Sequence, residues 1–399
     1  MKKIGCFIAI TVLVIFAFNS CKKDNEILTP ADGKNKTITG SAQKGPFLNG
    51  SSISVYELFQ NYSQTGRSFN TQITDNSGSF ALSNIPLISN YVQIRADGYY
   101  FNEVCGSNSI SQLTLNCIAD IGSAAPIHIN LLTHLEKPRV EFLLSSGMSF
   151  ASAKNEAQSE VLNIFNISAN GIQNSEHLDI SQAGEGNAIL LAVSTILQGF
   201  RTESELSTLL AVISNDIRTD GILDDANTKS SIIDHALLLD TLSIRNNVSN
   251  YYLSLGIIAT IPNFEIYIQQ FKNNTTFSIT NSVITYPNVG LYGPNVLVKT
   301  QLNYSTSSPV VSLTGQLKRC SSLKIRMHRI SGGYWYYNDN SNLNISNYDF
   351  TNDEQFFKVI DSSTPFDVHL ILSDAGTFLI EYFERDLLIP SFSKTITVN

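Results

Sequence analysis

The spacing of apolar and polar residues changes twice along this chain. Over residues 37–130, short runs of alternating apolar and polar residues are separated by turn sequences such as Asp75–Gly78. Over residues 128–271, apolar residues instead recur roughly every three to four positions, and from about Ser278 the alternation returns. A period of two indicates half-buried strands, and a period near 3.6 indicates amphipathic helices. The pattern therefore predicts strands, then helices, then strands.

Two stretches in the first region carry a family resemblance. Thr74–Leu82 reads TDNSGSFAL, and Tyr91–Tyr99 reads YVQIRADGY. They resemble the carboxypeptidase regulatory-like domain, in which a T-D-x-x-G-x-F-x-L hairpin precedes a strand that leads into a glycine-aromatic turn. The resemblance covers residues 37–120 and implies a prealbumin-like β-sandwich without catalytic residues, so we assign residues 37–127 to this sandwich. The segment Gly40–Phe47, which reads GSAQKGPF, also resembles the start of a recurrent lipoprotein module, and no chemistry follows from it.

The central region, residues 128–275, predicts a helical domain. Thr202–Glu205 reads TESE, a capping box that satisfies backbone N–H groups at the start of a helix. The apolar residues that follow it share one helical stripe; they are Leu206, Leu209, Leu210, Ile213 and Ile217. We expect about five or six such helices to form a compact bundle, with their stripes in its core rather than at a ligand site.

The last region, residues 278–399, predicts an immunoglobulin-like β-sandwich. Leu323, Ile325 and Met327 alternate with polar neighbours, as in a half-buried strand. About seven or eight strands of this kind suit two packed sheets. The fold class predicted for the whole chain is multidomain β + α + β, with an N-terminal β-sandwich, a central helical bundle and a C-terminal immunoglobulin-like β-sandwich. A chain of 399 residues is long enough for several such domains.

One aromatic cluster in the last region suggests a ligand. In Tyr334–Tyr337, which reads YWYY, alternation along a strand places Tyr334 and Tyr336 on one face and the other two rings on the opposite face. If the first pair points outwards, its rings can stack on a sugar, which makes Tyr334 and Tyr336 candidate glycan-binding residues. The alternative is that Trp335 fills the core and the tyrosines cover its rim.

The first 20 residues predict a lipoprotein signal peptide. Lys2 and Lys3 precede the apolar run Ile4–Phe18, which is shorter than the ~20 residues that cross a bilayer as a helix. The run leads through the small residue Ser20 to Cys21, and this boundary resembles a bacterial lipobox. Cys21 is therefore the predicted lipidation site, and we expect the mature protein to be lipid-anchored in the outer membrane.

Residues 21–36 predict a flexible tether, because they are polar, contain Pro30 and Gly33 and have no apolar period. Directly after Cys21, the segment Lys22–Glu26 reads KKDNE and resembles the export tag of surface-displayed lipoproteins. This resemblance implies a position on the cell surface. A plain solvated linker is the alternative, so the side of the outer membrane stays open.

The net charge of the chain narrows the classes of molecule that we expect to bind it. The formal net charge is −8, and it becomes more negative by two when Lys2 and Lys3 leave with the signal peptide. Nucleic acids and anionic headgroups select surfaces rich in Lys and Arg, so neither is an expected partner. The expected partners are the membrane, through the lipid anchor, and an extracellular glycan or protein.

The remaining cysteines suggest one disulfide. Cys105 and Cys117 lie in neighbouring β-type runs, and a hairpin between them would bring them together in an oxidising compartment. The alternative is two buried thiols in neighbouring strands. Cys320 lies beside two basic residues without an accompanying His or Asn motif, so we interpret it as a spare structural cysteine.

The sequence contains no G-x-S-x-G elbow, Walker loop, G-x-G-x-x-G or H-E-x-x-H motif. His128 and His134 lack zinc-ligand spacing. Asp216–Asp224 partly resembles a calcium loop, but Arg218 stands at a ligand position and Asn227 replaces the bidentate glutamate. We therefore expect no catalytic residue, metal or cofactor. The sequence favours a non-catalytic binding or structural/adhesion module. The alternatives are a glycan-capturing lipoprotein of a polysaccharide uptake system and a hydrolase with an unrecognised site.

Overall fold

The structure is a computed structural model that describes residues 35–123 and 125–280 and the strands of the C-terminal region. In that last region it covers 291–293, 296–304, 309–317, 322–339, 354–360, 366–384, 390 and 392–398. The predicted signal peptide, most of the predicted tether, Cys21 and Cys320 lie outside the described residues.

Nine described strands form the N-terminal β region. They are β1 (Asn35–Gln43), β2 (Ser52–Leu58), β3 (Gln64–Gln72), β4 (Ser79–Pro86), β5 (Tyr91–Gly98), β6 (Phe101–Asn102), β7 (Ser107–Asn108), β8 (Leu113–Asp120) and β9 (Ile129–Asn130). Strand β1 lies between β4, to which it is antiparallel, and β9, to which it is parallel. Strands β3, β2, β5 and β8 form a second sheet in that order, and β6 and β7 form a short hairpin.

Seven described α-helices follow. They are α1 (Leu131–Ser145), α2 (Phe150–Asn163), α3 (Glu185–Gln198), α4 (Glu203–Asp216), α5 (Ala226–Ala236), α6 (Thr241–Ser254) and α7 (Glu265–Asn274). The predicted capping box is confirmed, because the Glu205 backbone N–H donates to the Thr202 hydroxyl and the Glu205 carboxylate accepts the Thr202 N–H. The predicted stripe on α4 is also buried, with Leu210 1% and Ile213 0% exposed.

One hydrophobic core runs through the N-terminal β region and the helices. It includes Ile53 and Val92 of the sheets, Leu132 of α1, Ile189 of α3 and Phe271 of α7. Helix α1 packs against β8, which links the two regions directly. Because both regions bury their apolar surface in the same place, we expect them to unfold as one cooperative unit.

The segment Gly40–Phe47 lies where the sheets meet the helices. A Cβ atom on Gly40 would lie 1.7 Å from the Ile127 carbonyl oxygen, and one on Gly45 would lie 2.1 Å from that of Phe101. No side chain fits at either distance, so both glycines are required by close backbone approach. The segment that resembles a lipoprotein module is therefore a packing element.

Lys44 of this segment forms a fully buried ion pair. Its Nζ donates to Glu103 Oε2 at 2.5 Å, and neither side chain has exposed surface. The hydroxyl of Ser194 in α3 donates to the other carboxylate oxygen at 2.6 Å. Burial lowers the pKa of Lys44, and the Glu103 carboxylate opposes this shift. A buried charge is tolerated only when it is paired and hydrogen-bonded, so three distant parts of the chain must meet here.

A second buried cluster fixes the segment between α2 and α3. Lys154 Nζ of α2 lies 3.0 Å from Glu136 Oε2 of α1 and 2.9 Å from Glu176 Oε2. Glu176 belongs to the 3-10 turn Ser175–His177, whose Glu176 carbonyl accepts the backbone N–H of His128. Burial acts to lower the pKa of Lys154, but the two carboxylates raise it overall. The cluster thus holds the 3-10 turn against β9.

The C-terminal sheet contains seven described strands. They are β10 (Leu291–Gly293), β11 (Val296–Tyr304), β12 (Pro309–Leu317), β13 (Ser322–Asp339), β14 (Glu354–Ile360), β15 (Phe366–Glu384) and β16 (Phe392–Val398). The long strands β13 and β15 pair along most of their length, and the other edge of β15 is divided between β12 and β16. A Cβ atom on Gly376 would lie 2.8 Å from the backbone of Gly332, so glycine allows the irregular pairing there. The predicted order of strands, helices and strands is confirmed.

Within the described part of the chain, no helix is both long enough and apolar enough to cross a membrane.

The predicted disulfide between Cys105 and Cys117 is wrong. Cys117 is a buried free thiol in β8, where it lies opposite Ile94 of β5. Cys105 is disulfide-bonded, but it lies in the turn between β6 and β7, with its N–H donated to the Asn102 side chain. The error arose because closeness in sequence suggested one hairpin, whereas β8 takes β5 as its neighbour.

The Lys44 pair gives a first prediction. Lys44→Met leaves Glu103 buried without a cation, so the free energy of unfolding should fall by about 3 to 5 kcal/mol. The double variant Lys44→Met/Glu103→Leu removes both charges and should recover most of this loss. Urea unfolding measures the free energy of unfolding of both variants. Lys137→Met is the matched control, because Lys137 forms an i,i+4 ion pair with the half-exposed Glu141. Loss of that exposed pair should lower the free energy of unfolding by less than ~1 kcal/mol. Equal losses for Lys44→Met and the control would contradict the assignment.

The cysteines give a second prediction. Burial raises the pKa of the Cys117 thiol, so little reactive thiolate forms in the native protein. Iodoacetamide should leave Cys117 unmodified in the native state and modify it once the protein unfolds without reductant, whereas Cys105 should need reduction first. Peptide mapping by mass spectrometry reads out both sites. A cross-linked peptide that joins Cys105 to Cys117 is the result that would refute this arrangement.

Candidate functional site

A cavity of about 430 Å³ lies where β1 and β4 meet the chain after the 3-10 turn and the end of α6. We call it the junction cavity and define it by the side chains that carry its chemistry. These are Ser41, Gln43, Phe80, His128, Asp179 and Tyr252. Strand alternation explains why Ser41 and Gln43 of β1 are both in this set, because they share one face of the strand while Ala42 between them points the other way.

Ser41 and His128 form one polar wall of the junction cavity. Ser41 Oγ and His128 Nδ1 are 2.7 Å apart. Burial lowers the pKa of His128, while the nearby Asp179 charge opposes this shift and His177 adds to it. The imidazole is therefore neutral at pH 7. In the tautomer that carries its proton on Nε2, the Ser41 hydroxyl donates to Nδ1.

Asp179 also lines the junction cavity and is held in place through Oδ1. This oxygen accepts from Gln43 Nε2 at 2.7 Å and from the backbone and hydroxyl of Ser181 at 2.9 and 2.8 Å. Gln43 Oε1 accepts the backbone N–H of Ile180 at 3.2 Å, so both ends of the Gln43 amide bond to the loop that contains Asp179 and Ile180. We call this pair of bonds the Gln43 clamp. The carboxylate is thus oriented before any ligand arrives.

Tyr252 contributes a buried hydroxyl without a partner. The residue is 2% exposed, and within the described part of the chain its Oη makes no hydrogen bond. Burial, with a smaller effect of Asp179, raises its pKa well above the usual value, so the phenol is neutral. A buried hydroxyl left unpaired costs about 1 to 3 kcal/mol. The Oη atom has less than 1 Å² of accessible surface, so it is closed off from the open volume of the cavity.

The combination of Ser41, His128 and Asp179 does not make a catalytic triad. In a serine hydrolase the serine bonds one ring nitrogen and the carboxylate bonds the other. Here, among the described residues, Asp179 makes no hydrogen bond to His128. The backbone N–H groups beside Ser41 are also engaged, since Ala42 donates to Gly78 and Ile127 donates to Thr39. Within the described part of the chain, these two N–H groups are therefore not available to stabilise an oxyanion.

The residues singled out in the sequence lie elsewhere. Tyr334 and Tyr336 are on β13, opposite Ser373 and Ile371 of β15, and their side chains lie outside the described residues. Cys21 lies outside them as well. The glycan-binding prediction for the two tyrosines and the lipidation prediction therefore stay predictions.

The segment that partly resembles a calcium loop makes ordinary helix ends. Asp216 Oδ2 accepts the backbone N–H groups of Asp224 and Asp225, and Asp225 caps α5 through Thr228. Across the described residues, no group of His, Cys, Asp and Glu side chains is arranged to hold a metal ion.

Sequence reasoning missed the junction cavity because its walls come from five separate segments. The only local signals were the unexplained Gly40–Phe47 segment and His128 at the β-to-α transition. Neither signal points to Asp179 or Tyr252.

Comparison of the chain with models of known protein families gives no match, and comparison with curated proteins gives none either.

Proposed function

We propose that this protein is a lipid-anchored protein of the outer membrane that acts as a non-catalytic binding module, with its ligand in the junction cavity. The observation that carries the binding role is the cavity itself, which has a volume of about 430 Å³ and is lined by Asp179, whose carboxylate Gln43 and Ser181 hold in place. The anchor is supported by the lipobox-like boundary at Cys21.

The construction of the cavity supports binding. Its walls belong to one continuous core and are fixed by the Gln43 clamp and the Lys154 cluster. A ligand that enters a site already formed does not have to order the chain, which leaves more of the contact energy as affinity.

The hydrogen-bond pattern favours binding over hydrolysis. Ser41 is 5% exposed, so a substrate carbonyl has little access to its hydroxyl. Neither the carboxylate relay nor the oxyanion donors of acyl transfer accompany it.

For the C-terminal region we retain the immunoglobulin-like sandwich as a proposal. It is supported by the divided edge of β15, because a long strand that bends from one sheet into another has different neighbours along its two halves. Tyr334 and Tyr336 would then lie on the half of β13 that pairs with the first half of β15.

The anchor can be tested with Cys21→Ala. We expect this variant to lose labelling by an alkyne fatty acid and to move from the membrane fraction to the soluble fraction, because no thiol remains for acylation. A Cys320→Ala variant is the control and should keep its label. If Cys21→Ala remains labelled and membrane-bound, the proposed anchor is wrong.

The absence of catalysis at Ser41 can be tested with a fluorophosphonate probe, which labels activated serines. The wild type should show no labelling above that of Ser41→Ala, since the hydroxyl is neither accessible nor served by an oxyanion site. Labelling of the wild type that disappears in Ser41→Ala and in His128→Gln would establish a nucleophilic serine and favour the hydrolase alternative.

A further inference from the structure

We infer that the disulfide of Cys105 is formed with Cys320, so that one covalent bond ties the C-terminal region to the unit built from the N-terminal β region and the helices. This inference goes beyond the proposed binding function. It rests on the proposed lipid anchor, because it takes the sulfur of Cys21 to be acylated.

The cysteine content of the chain limits the partner of Cys105 to three residues. Cys105 is disulfide-bonded, whereas Cys117 is a free thiol. The chain contains five cysteines, so the partner is one of the other three, which are Cys6, Cys21 and Cys320.

The proposed processing of the chain removes two of these three. Cys6 lies in the predicted signal peptide, which is cleaved off before Cys21. The sulfur of Cys21 would carry the lipid, and a sulfur that is bonded to lipid cannot enter a disulfide. Cys320 is the cysteine that remains.

The turn that carries Cys105 is fixed to the helical part of the fold. Asn247 Nδ2 of α6 donates to the Glu103 carbonyl at 3.0 Å. The ring of Phe101 stacks on Tyr251 of α6, with the ring centroids 4.0 Å apart. Cys105 itself is partly exposed at the end of this packed segment. It therefore presents a sulfur near the surface on a firmly held part of the fold, as a bond to a separate region requires.

The position of Cys320 in the sequence suits this role. Strand β12 ends at Leu317 and β13 begins at Ser322, so Cys320 belongs to the connection between them, which lies outside the described residues. Connections between strands generally run over the surface of a protein. Lys318 and Arg319 directly precede Cys320. Neighbouring cations favour the thiolate form, which is the form that attacks in disulfide exchange.

Formation of the bond removes two electrons and two protons from the two thiols. A disulfide-bonded thiol oxidoreductase of the cell envelope accepts them in two exchange steps. One cysteine thiolate attacks the disulfide of the oxidoreductase, and the second cysteine then displaces the oxidoreductase in its dithiol form. Exported proteins meet such oxidants, so the proposed location of this protein supplies the required chemistry.

The test uses the full-length protein, purified without reductant, with a TEV protease site inserted between residues 284 and 285. After cleavage, we expect the two fragments to stay joined on a denaturing gel without reductant and to separate when reductant is added. Cys105→Ser and Cys320→Ser should each release the fragments without reductant. Cys117→Ser is the matched control and should keep them joined, because that thiol is free. The gel is denaturing, so the result does not depend on how stably each variant folds.

Peptide mapping of the uncleaved protein by mass spectrometry identifies the bond directly and should find a peptide that joins Cys105 to Cys320. Wild-type fragments that separate without reductant, or fragments that stay joined in Cys320→Ser, overturn the inference. A bond between Cys105 and Cys21 overturns both the inference and the proposed anchor. A bond between Cys105 residues of two copies overturns the inference and leaves the anchor standing.

Discussion

The buried ion pair between Lys44 and Glu103 is the interaction on which the described fold depends. Neither charged side chain has exposed surface, so burying the pair costs desolvation energy. This cost is offset only when the two charges pair closely and make further hydrogen bonds, and Ser194 of α3 donates one such bond to Glu103. The pair therefore fixes the register of β1 against the helices. Gln43, the last residue of β1, directly precedes Lys44, so a shift of the strand by one residue would break both the ion pair and the clamp on Asp179. The packing of the core and the wall of the cavity therefore depend on one register of β1.

The elements could be predicted from the sequence because the signals for them are local. The capping box at Thr202 and the stripe through Leu210 need only neighbours within a few turns, and both are present in the structure. The cavity could not be predicted in this way. Lys44 and Ser194 are 150 residues apart, and Gln43 and Asp179 are 136 apart, so no pattern within one element reveals their contact. The disulfide error has the same origin, because the order of strands in a sheet is a long-range property.

The junction cavity contains the residue types of a catalytic triad without the hydrogen bonds of one. Serine, histidine and aspartate line the same cavity, yet their hydrogen bonds hold the structure together. Ser41 pairs with Nδ1 of His128, Asp179 accepts from Gln43 and Ser181, and the nearby backbone N–H groups of Ala42 and Ile127 donate to backbone carbonyls. These contacts fix the shape of the cavity.

The position of β1 has a mechanical consequence. The chain that leads from Cys21 enters the fold at Asn35, the first residue of β1, and this strand is flanked by antiparallel β4 and by the segment that contains β9. A pull transmitted from a membrane anchor would act along the strand, across hydrogen bonds that lie perpendicular to it. Under such a force, those hydrogen bonds would have to break together and not one after another. Lys44 directly follows this strand, and its buried ion pair would oppose extraction of β1 by a pull on the proposed anchor.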